Sequence, residues 1–410
     1  MQETITEMIL PGTYIEVRAE GLISAGQISV GNIGVVGTSI NGNDYEVKSI
    51  SNMTEAKEAF GEYDPYTNPI THDKPLSLTR ALELIYNNGG RTVYAVKVND
   101  LTPDEIDKGL NALMNQNVHI VVAAGVDANV IATILKGHCD AAVTEQKDRI
   151  GIVGSKTYKI EDEDIDDIKD IKSTVVESDR LIYVAPGINV YELANKGKVE
   201  LAKNKIKEAE ADASNSNANK EAAESEKTNA ENEAKVAREK PVTLPGSYAA
   251  CAVAGLISSL AVQSSPTNKV LNVNGLEKEY TYSDLKKLIQ NNVCVVGRKN
   301  GSCVVIRGIT TDKGAFQQIT TRRIVDKAKA GIRSGSQLYI GKLNNSRVRS
   351  ALKSTLDGFL TTMVQDEALS EYSLEVTATR QDEINGRCIV TVILKPTFSI
   401  DYIKVIMYLS

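Results

Sequence analysis

HIVVAAGVDANVIATILKGHCDAAVTEQKDRIGIVG, residues 119–154, decides the fold. An apolar run at 119–123 gives way to a helical pattern over 128–139 and then to a second apolar run at 150–153. Strands this apolar are buried on both faces, and alternating them with helices of about ten residues builds a parallel sheet covered by helices. Upstream, the pattern predicts a strand at 33–38 (IGVVGT), helices over 52–60 and 76–87, a strand at 92–98 (TVYAVKV) and a helix over 103–114. In the second helix Leu78, Leu82 and Ile85 share one face and Gly89-Gly90 ends it. Downstream, a helix over 164–176 leads to a strand at 181–184. The expected class is therefore α/β, with a doubly wound middle domain.

The rest of the chain follows a different grammar. Residues 191–240 are rich in Ala, Asn, Glu and Lys with a thin apolar stripe, which reads as two solvated helices in a protruding hairpin or as a flexible insert. After Pro245-Gly246 come a helix at 248–260, a hairpin-like segment at 268–280, a helix at 283–290 and strands at 294–297 and 303–309. The last hundred residues read α+β, with helices over 319–331 and 346–367 and strands at 372–380 and 386–394. Both ends read as strands. Thr13, Ile15 and Val17 alternate with polar neighbours behind the Pro11-Gly12 turn. At 400–409 (IDYIKVIMYL), Ile400, Tyr402 and Ile406 line one face and Ile403, Val405, Met407 and Leu409 the other, so this end has to be covered by its own domain or by a neighbouring subunit. The expected divisions are an N-terminal arm (1–20), an α/β segment (21–100), a middle domain (101–310) carrying the insert at 191–240, a C-terminal α+β domain (311–398) and a C-terminal arm strand (399–410).

Composition narrows the function. The 410 residues include no Trp, only 3 His and a net charge of −6, so the chain is short of the usual proton-transfer residues and lacks the basic footprint of a nucleic-acid binder. The longest apolar stretch, 249–260, is too short to span a bilayer, and the N-terminus has no secretory pattern, which places synthesis and first folding in a cytoplasm. Cys139, Cys251, Cys294, Cys303 and Cys388 have no metal-ligand spacing and read as small buried hydrophobes. Gly31, Gly34 and Gly37 are spaced GxxGxxG, unlike a dinucleotide loop. The acidic run at 161–170 lacks calcium-loop spacing and reads as a solvated helix start, with a partner contact as the alternative. His138 and Cys139 are adjacent on a helix, about 100° apart, which argues against a nucleophile and base pair. No catalytic, cofactor or metal residue is expected. A basic set, Arg322, Arg323, Lys327, Lys329 and Arg333, continues at Arg347, Arg349 and Lys353 and reads as a face for an acidic protein surface.

Taken in order, PGTYIEVRAEG at 11–21, IGVVGTS at 33–39, GGRTVYAVKV at 89–98, LIYVAPG at 181–187, AACAVAGLISSL at 249–260 and the long run QITTRRIVDKAKAGIRSGSQLYIGKLNNSRVRSALKSTLDGFLTTMVQDEAL at 318–369 resemble the contractile phage tail sheath family. The resemblance implies a subtilisin-like middle domain without protease chemistry, and a structural role. It implies subunits stacked as six-membered rings around an inner tail tube, with baseplate and tail terminator proteins as further partners. Terminal arms would add strands to neighbouring subunits, which gives Thr13, Ile15, Val17, Ile400, Tyr402, Ile403 and Val405 an inter-subunit role. Arg322, Arg323, Lys327 and Arg333 become candidates to face the tube. The place implied is a virion tail assembled in a bacterial cytoplasm, with a bacteriocin or secretion-system sheath as an alternative and a doubly wound hydrolase as the rival class. Two departures stand out. Phe316 occupies a region where the family often has Trp, and the insert at 191–240 has no family counterpart and should project away from the tube.

Overall fold

β1 (Ile33–Gly37) is buried at every position because it lies inside a sheet covered on both faces. The structure, a computed structural model, describes residues 31–61, 76–157, 166–190, 228–229 and 242–408. In chain order β1 is followed by β2 (Val47–Ile50), α1 (Met53–Phe60), α2 (Leu78–Asn87), β3 (Val93–Lys97), α3 (Pro103–Ala112), β4 (Ile120–Asp127), α4 (Ala128–Thr144), β5 (Ile150–Gly154), α5 (Asp167–Thr174) and β6 (Leu181–Ala185). Then come β7 (Ile188–Val190), β8 (Val242–Leu244), α6 (Gly246–Ser259), β9 (Gly275–Leu276), α7 (Tyr282–Gln290), β10 (Cys294–Lys299) and β11 (Ser302–Val305).

The main sheet has the order β11-β10-β6-β5-β4-β1-β3-β2. It is parallel from β3 to β10, and the edge strands β2 and β11 run antiparallel to their neighbours. Successive side chains point to opposite faces, so Val35, Val122 and Ile152 pack with α2 and α6 while Val36, Val121 and Val153 pack with α3 and α4. Helix α6 is apolar all round and buried from Gly246 to Ile257, as expected of a helix inside a core. It lies close to its neighbours because two glycines permit it. A Cβ on Gly255 would come within 2.3 Å of the Ile85 carbonyl oxygen, and one on Gly154 within 1.9 Å of the Gly246 backbone.

The strands of the 21–100 segment and those of 101–310 share one sheet. Two sequence expectations are corrected here. The segment 268–280 is no hairpin: β9 pairs with β7, and Val270 bridges Val304 at the sheet edge. The acidic run is only partly solvated, since Asp167 is buried against Lys278 at 2.8 Å and Asp170 pairs with Lys156. Its first residues, 161–165, and the insert at 191–240 apart from 228–229 lie outside the described residues.

The C-terminal domain contains α8 (Ile319–Gln337), α9 (Ser346–Gln365), β12 (Leu369–Thr377), α10 (Arg380–Ile384) and β13 (Ile389–Pro396). Its core is built on helical spacing, with Ile324, Ala328 and Ile332 on α8 and Leu352, Leu356 and Leu360 on α9. The latter row covers the Leu374 and Leu394 face of the β12–β13 ladder. The α10 turn between these strands is fixed by a capping box, Thr379 with Asp382.

Candidate assembly surfaces

In a doubly wound sheet a ligand would enter at the carboxyl ends of the strands beside β1, which leads to β2 and β3 on one side before the chain crosses from β3 to β4 on the other. That crevice is filled. The Thr38 and Ser77 backbones and hydroxyls bond to one another across it, with Thr38 N to Ser77 Oγ at 3.1 Å and Ser77 N to Thr38 Oγ1 at 3.2 Å, and both residues are buried. Asp127 stands at this end, its carboxyl pushed up to about 6 by burial despite Lys156. Ser155 and Ser247 are buried there as well. The two histidines of the described residues lie elsewhere. His119 precedes β4 at the opposite end, and His138 on α4 accepts a hydrogen bond from Arg149 at 3.1 Å. Burial holds both imidazoles down at about 4. Cys139 is fully buried and its thiol pushed up to about 12, which suits a core hydrophobe. Cys251, Cys294 and Cys303 are also buried, and Cys388 is exposed. Among the described residues no group of His, Cys, Asp and Glu could hold a metal ion, and no helix is long and apolar enough to cross a membrane.

The basic residues of α8 are not a surface, which corrects the expectation for Arg322, Arg323, Lys327 and Arg333. The first three are at most 7% exposed. Arg322 pairs with Asp179 at 2.9 Å and with Asp326 at 2.6 Å, and its guanidinium lies 4.4 Å from the ring centre of Phe316. Arg323 donates to the carbonyls of Leu260 and Ala261, closing the end of α6, and burial lowers it to about 10. Lys327 faces Asp366. Arg333 reaches Asp148 at 2.5 Å, where Lys329 (2.7 Å) and Arg180 (3.0 Å) also converge. Burial opposes the charge on Asp148, yet Lys329, Arg180 and Arg333 hold its carboxyl well below the usual range. These charges therefore join the C-terminal domain to the sheet. A signal for them exists in the sequence: the dipeptide Asp-Arg occurs just before β5 (Asp148-Arg149) and again just before β6 (Asp179-Arg180). Adjacent parallel strands bring the two copies side by side, with Arg180 Nη1 donating to the Arg149 carbonyl at 3.2 Å.

The C-terminal domain carries most of the exposed large apolar residues among the described residues. β12 and β13 form a two-stranded sheet, so each has an edge unpaired by the described residues. Its outer face carries Ile389 and Ile393, 47% and 54% exposed. Beyond Pro396 the chain is tied by Thr397 N to the Ala368 carbonyl and then runs in no regular structure through 401–408. The strand expected at 400–409 is thus not formed within the subunit, and Ile400, Tyr402, Ile403 and Val405 are 73–83% exposed. The other predicted arm residues, Thr13, Ile15 and Val17, lie outside the described residues.

A filled α/β body, an open sheet edge and a bare apolar arm together define a structural subunit built for assembly. The model of the phage tail sheath protein central domain matches residues 99–311, and that of the phage tail sheath C-terminal domain matches residues 311–410. The chain belongs to the phage tail sheath protein family, whose members are structural proteins and not enzymes. Among solved structures it is similar to the anti-feeding prophage helical sheath in the contracted state, with 17% identity over 98% of this chain and 99% of that one and a TM-score of 0.62. It is also similar to the PVC sheath complex of an extracellular contractile injection system (15% identity, 98% of each chain, TM-score 0.64) and to a sheath tail protein from Listeria innocua (10%, 92% and 94%, TM-score 0.61). At these identities the likeness shows the fold, a mixed α/β body with a largely parallel central sheet. No curated protein sequence matches the chain.

Proposed function

We propose that the protein polymerises as stacked six-membered rings around an inner tube, and that contraction of the sheath drives the tube through a target cell envelope. The observation that carries this reading is the pairing, in one domain, of an uncovered apolar arm with a two-stranded sheet open at its edges. β12 and β13 are nine and eight residues long, and the arm beyond Asp401 has roughly the length to form a strand beside either. Strand addition supplies affinity through backbone hydrogen bonds and register through alternate side chains. Because arms tie each subunit to others, rings can slide and close up without coming apart. The inner tube, baseplate and terminator are the further partners this reading requires. Structures of the anti-feeding prophage helical sheath and of its six-fold symmetrised baseplate are similar to this chain, which supports a helical homo-oligomer that meets a baseplate. The filled crevice beside β1 disfavours the hydrolase reading. A virion tail assembled in the host cytoplasm is the reading we favour, and the sheath of a non-virion injection system fits the same fold.

With α8 occupied inside the subunit, the basic residues available to an acidic tube are exposed ones, Lys342, Arg347 and Lys353 among them. The test is negative-stain microscopy of the purified protein with and without residues 400–410. The full chain should form tubes of uniform diameter. The truncated chain should stay folded by circular dichroism and form none. Tubes from the truncated chain would overturn the arm reading, and loss of folding would mark the segment as part of the core.

A further inference from the structure

We propose that Arg307, Gln318 and Asp401 form a clamp that sets the direction in which the C-terminal arm leaves the subunit, an inference that rests on the arm reading above. Within the exposed segment, Ile400 and Tyr402 are 80% and 73% exposed, yet the Asp401 side chain between them is only 7% exposed. Its Oδ2 accepts from Arg307 Nε at 3.0 Å and from Gln318 Nε2 at 3.4 Å, and its Oδ1 from the Ser399 hydroxyl at 3.3 Å. Gln318 grips the backbone as well, its Oε1 accepting from Ser399 N at 3.2 Å and its Nε2 donating to the Ser399 carbonyl at 3.3 Å. The Arg307 guanidinium lies 5.3 Å from the Tyr402 ring centre. No hydrogen bond or ion pair joins 403–408 to the described residues.

The position of the clamp gives it meaning. Arg307 follows β11 in the sheet domain, whereas Gln318 is the residue that opens α8 in the C-terminal domain. The root of the arm is therefore held by both domains at their junction. The Asp401 carboxylate stays buried only against its partners, because burying it unpaired is costly. A tethered strand finds a neighbour's edge at an effective concentration that depends on where its root points, and holding the root removes ordering entropy before docking. Asp401 is accordingly a positioning residue, which acts through the arm and makes no contact with the neighbour itself.

The experiment uses the full chain in a Cys388→Ser background, with nitroxide labels at Ile403→Cys and Lys286→Cys and the distance distribution measured by pulsed electron resonance on unpolymerised subunits. Without the clamp substitution the distribution should be narrow. Asp401→Asn should broaden it at least twofold, leave the thermal midpoint unchanged and raise the protein concentration at which tubes appear about tenfold. Exchanging the charges, Arg307→Asp with Asp401→Arg, should restore part of both effects. An unchanged width overturns the clamp. So does an unchanged tube threshold when removal of 403–410 abolishes tubes. If that removal leaves tubes intact, the arm reading itself fails, and the width still decides whether the clamp exists.

Discussion

Asp148 is the residue on which the junction between sheet and C-terminal domain turns. Its carboxylate receives Arg180, Lys329 and Arg333, and removing its charge takes an anion from three cations at a largely buried site, although Arg180 keeps its pair with Asp326. Asp148→Asn should cost about 3–5 kcal/mol, the usual loss when one partner of a buried ion pair is deleted, read as a shift in the urea midpoint. A cost below 1 kcal/mol would mean that water already enters this junction. The histidines give a second prediction, in pH. His119 and His138 are neutral in the fold, with values near 4 against 6.5 in the unfolded chain, so the unfolded state binds more protons between those limits. Their contribution is complete above pH 6.5 and is lost as the pH falls towards 4, by roughly 2–3 kcal/mol each. Asp127 runs the other way, since its raised carboxyl takes up a proton in the fold near pH 6 and stabilises it on acidification. The difference between the wild type and His119→Gln/His138→Gln isolates the imidazoles. The double variant should have a flatter stability profile between pH 6.5 and 4, and parallel profiles would exclude the two histidines as the cause.

At the level of elements, α6 seats closely on the sheet because β5 and α6 meet backbone to backbone. Gly154→Ala would place a methyl group within 1.9 Å of Gly246 main-chain atoms that no rotamer change can move away. Overpacking of this kind costs about 1–3 kcal/mol or more, and the thermal midpoint should fall accordingly while Gly301→Ala, whose Cβ would meet nothing, shows only its local backbone strain. Equal effects would mean that α6 can back away from the strand. The sequence made the parallel strands legible because IGVVG, HIVVA, IGIVG and LIYV are continuous apolar runs, and it made the long helices legible through their spacing. The short strands β2, β7, β8 and β9 have too few positions to show any period, whereas β11, also four residues long, falls in the apolar run expected at 303–309. The basic residues of α8 were misread for a different reason. TTRRIVDKAKAGIR has the charge density of a solvated face, and the carboxylates that bury it, Asp148 and Asp179, precede it by more than a hundred residues. The bare C-terminal arm was legible because a segment apolar on both faces has no self-consistent place at a surface.

For the whole molecule, the proposed donor arm and acceptor edge are separate parts, which would make assembly directional. A subunit lacking 403–410 keeps Asp401 with its partners, the sheet body and the edges of β12 and β13, so on the proposed reading it would receive an arm but not give one. Mixed with the full chain it should enter the growing polymer and hinder the next addition, in contrast to an unfolded variant, which would simply dilute the stock. At roughly one part in ten, mean tube length in negative stain should fall severalfold, because each incorporated copy removes a tether that gives neighbouring subunits their high effective concentration. Tube diameter should stay the same, since the body that sets the packing is untouched. A second mixture tests the acceptor: a subunit that keeps its arm but carries Val392→Pro loses a backbone donor on β13, distorts the strand and should shorten tubes by the opposite defect. Combined in equal parts, the two variants should shorten tubes more than either alone if arm and edge act in one interface between copies. Lengths indifferent to either variant would mean that neither part takes part in building the sheath.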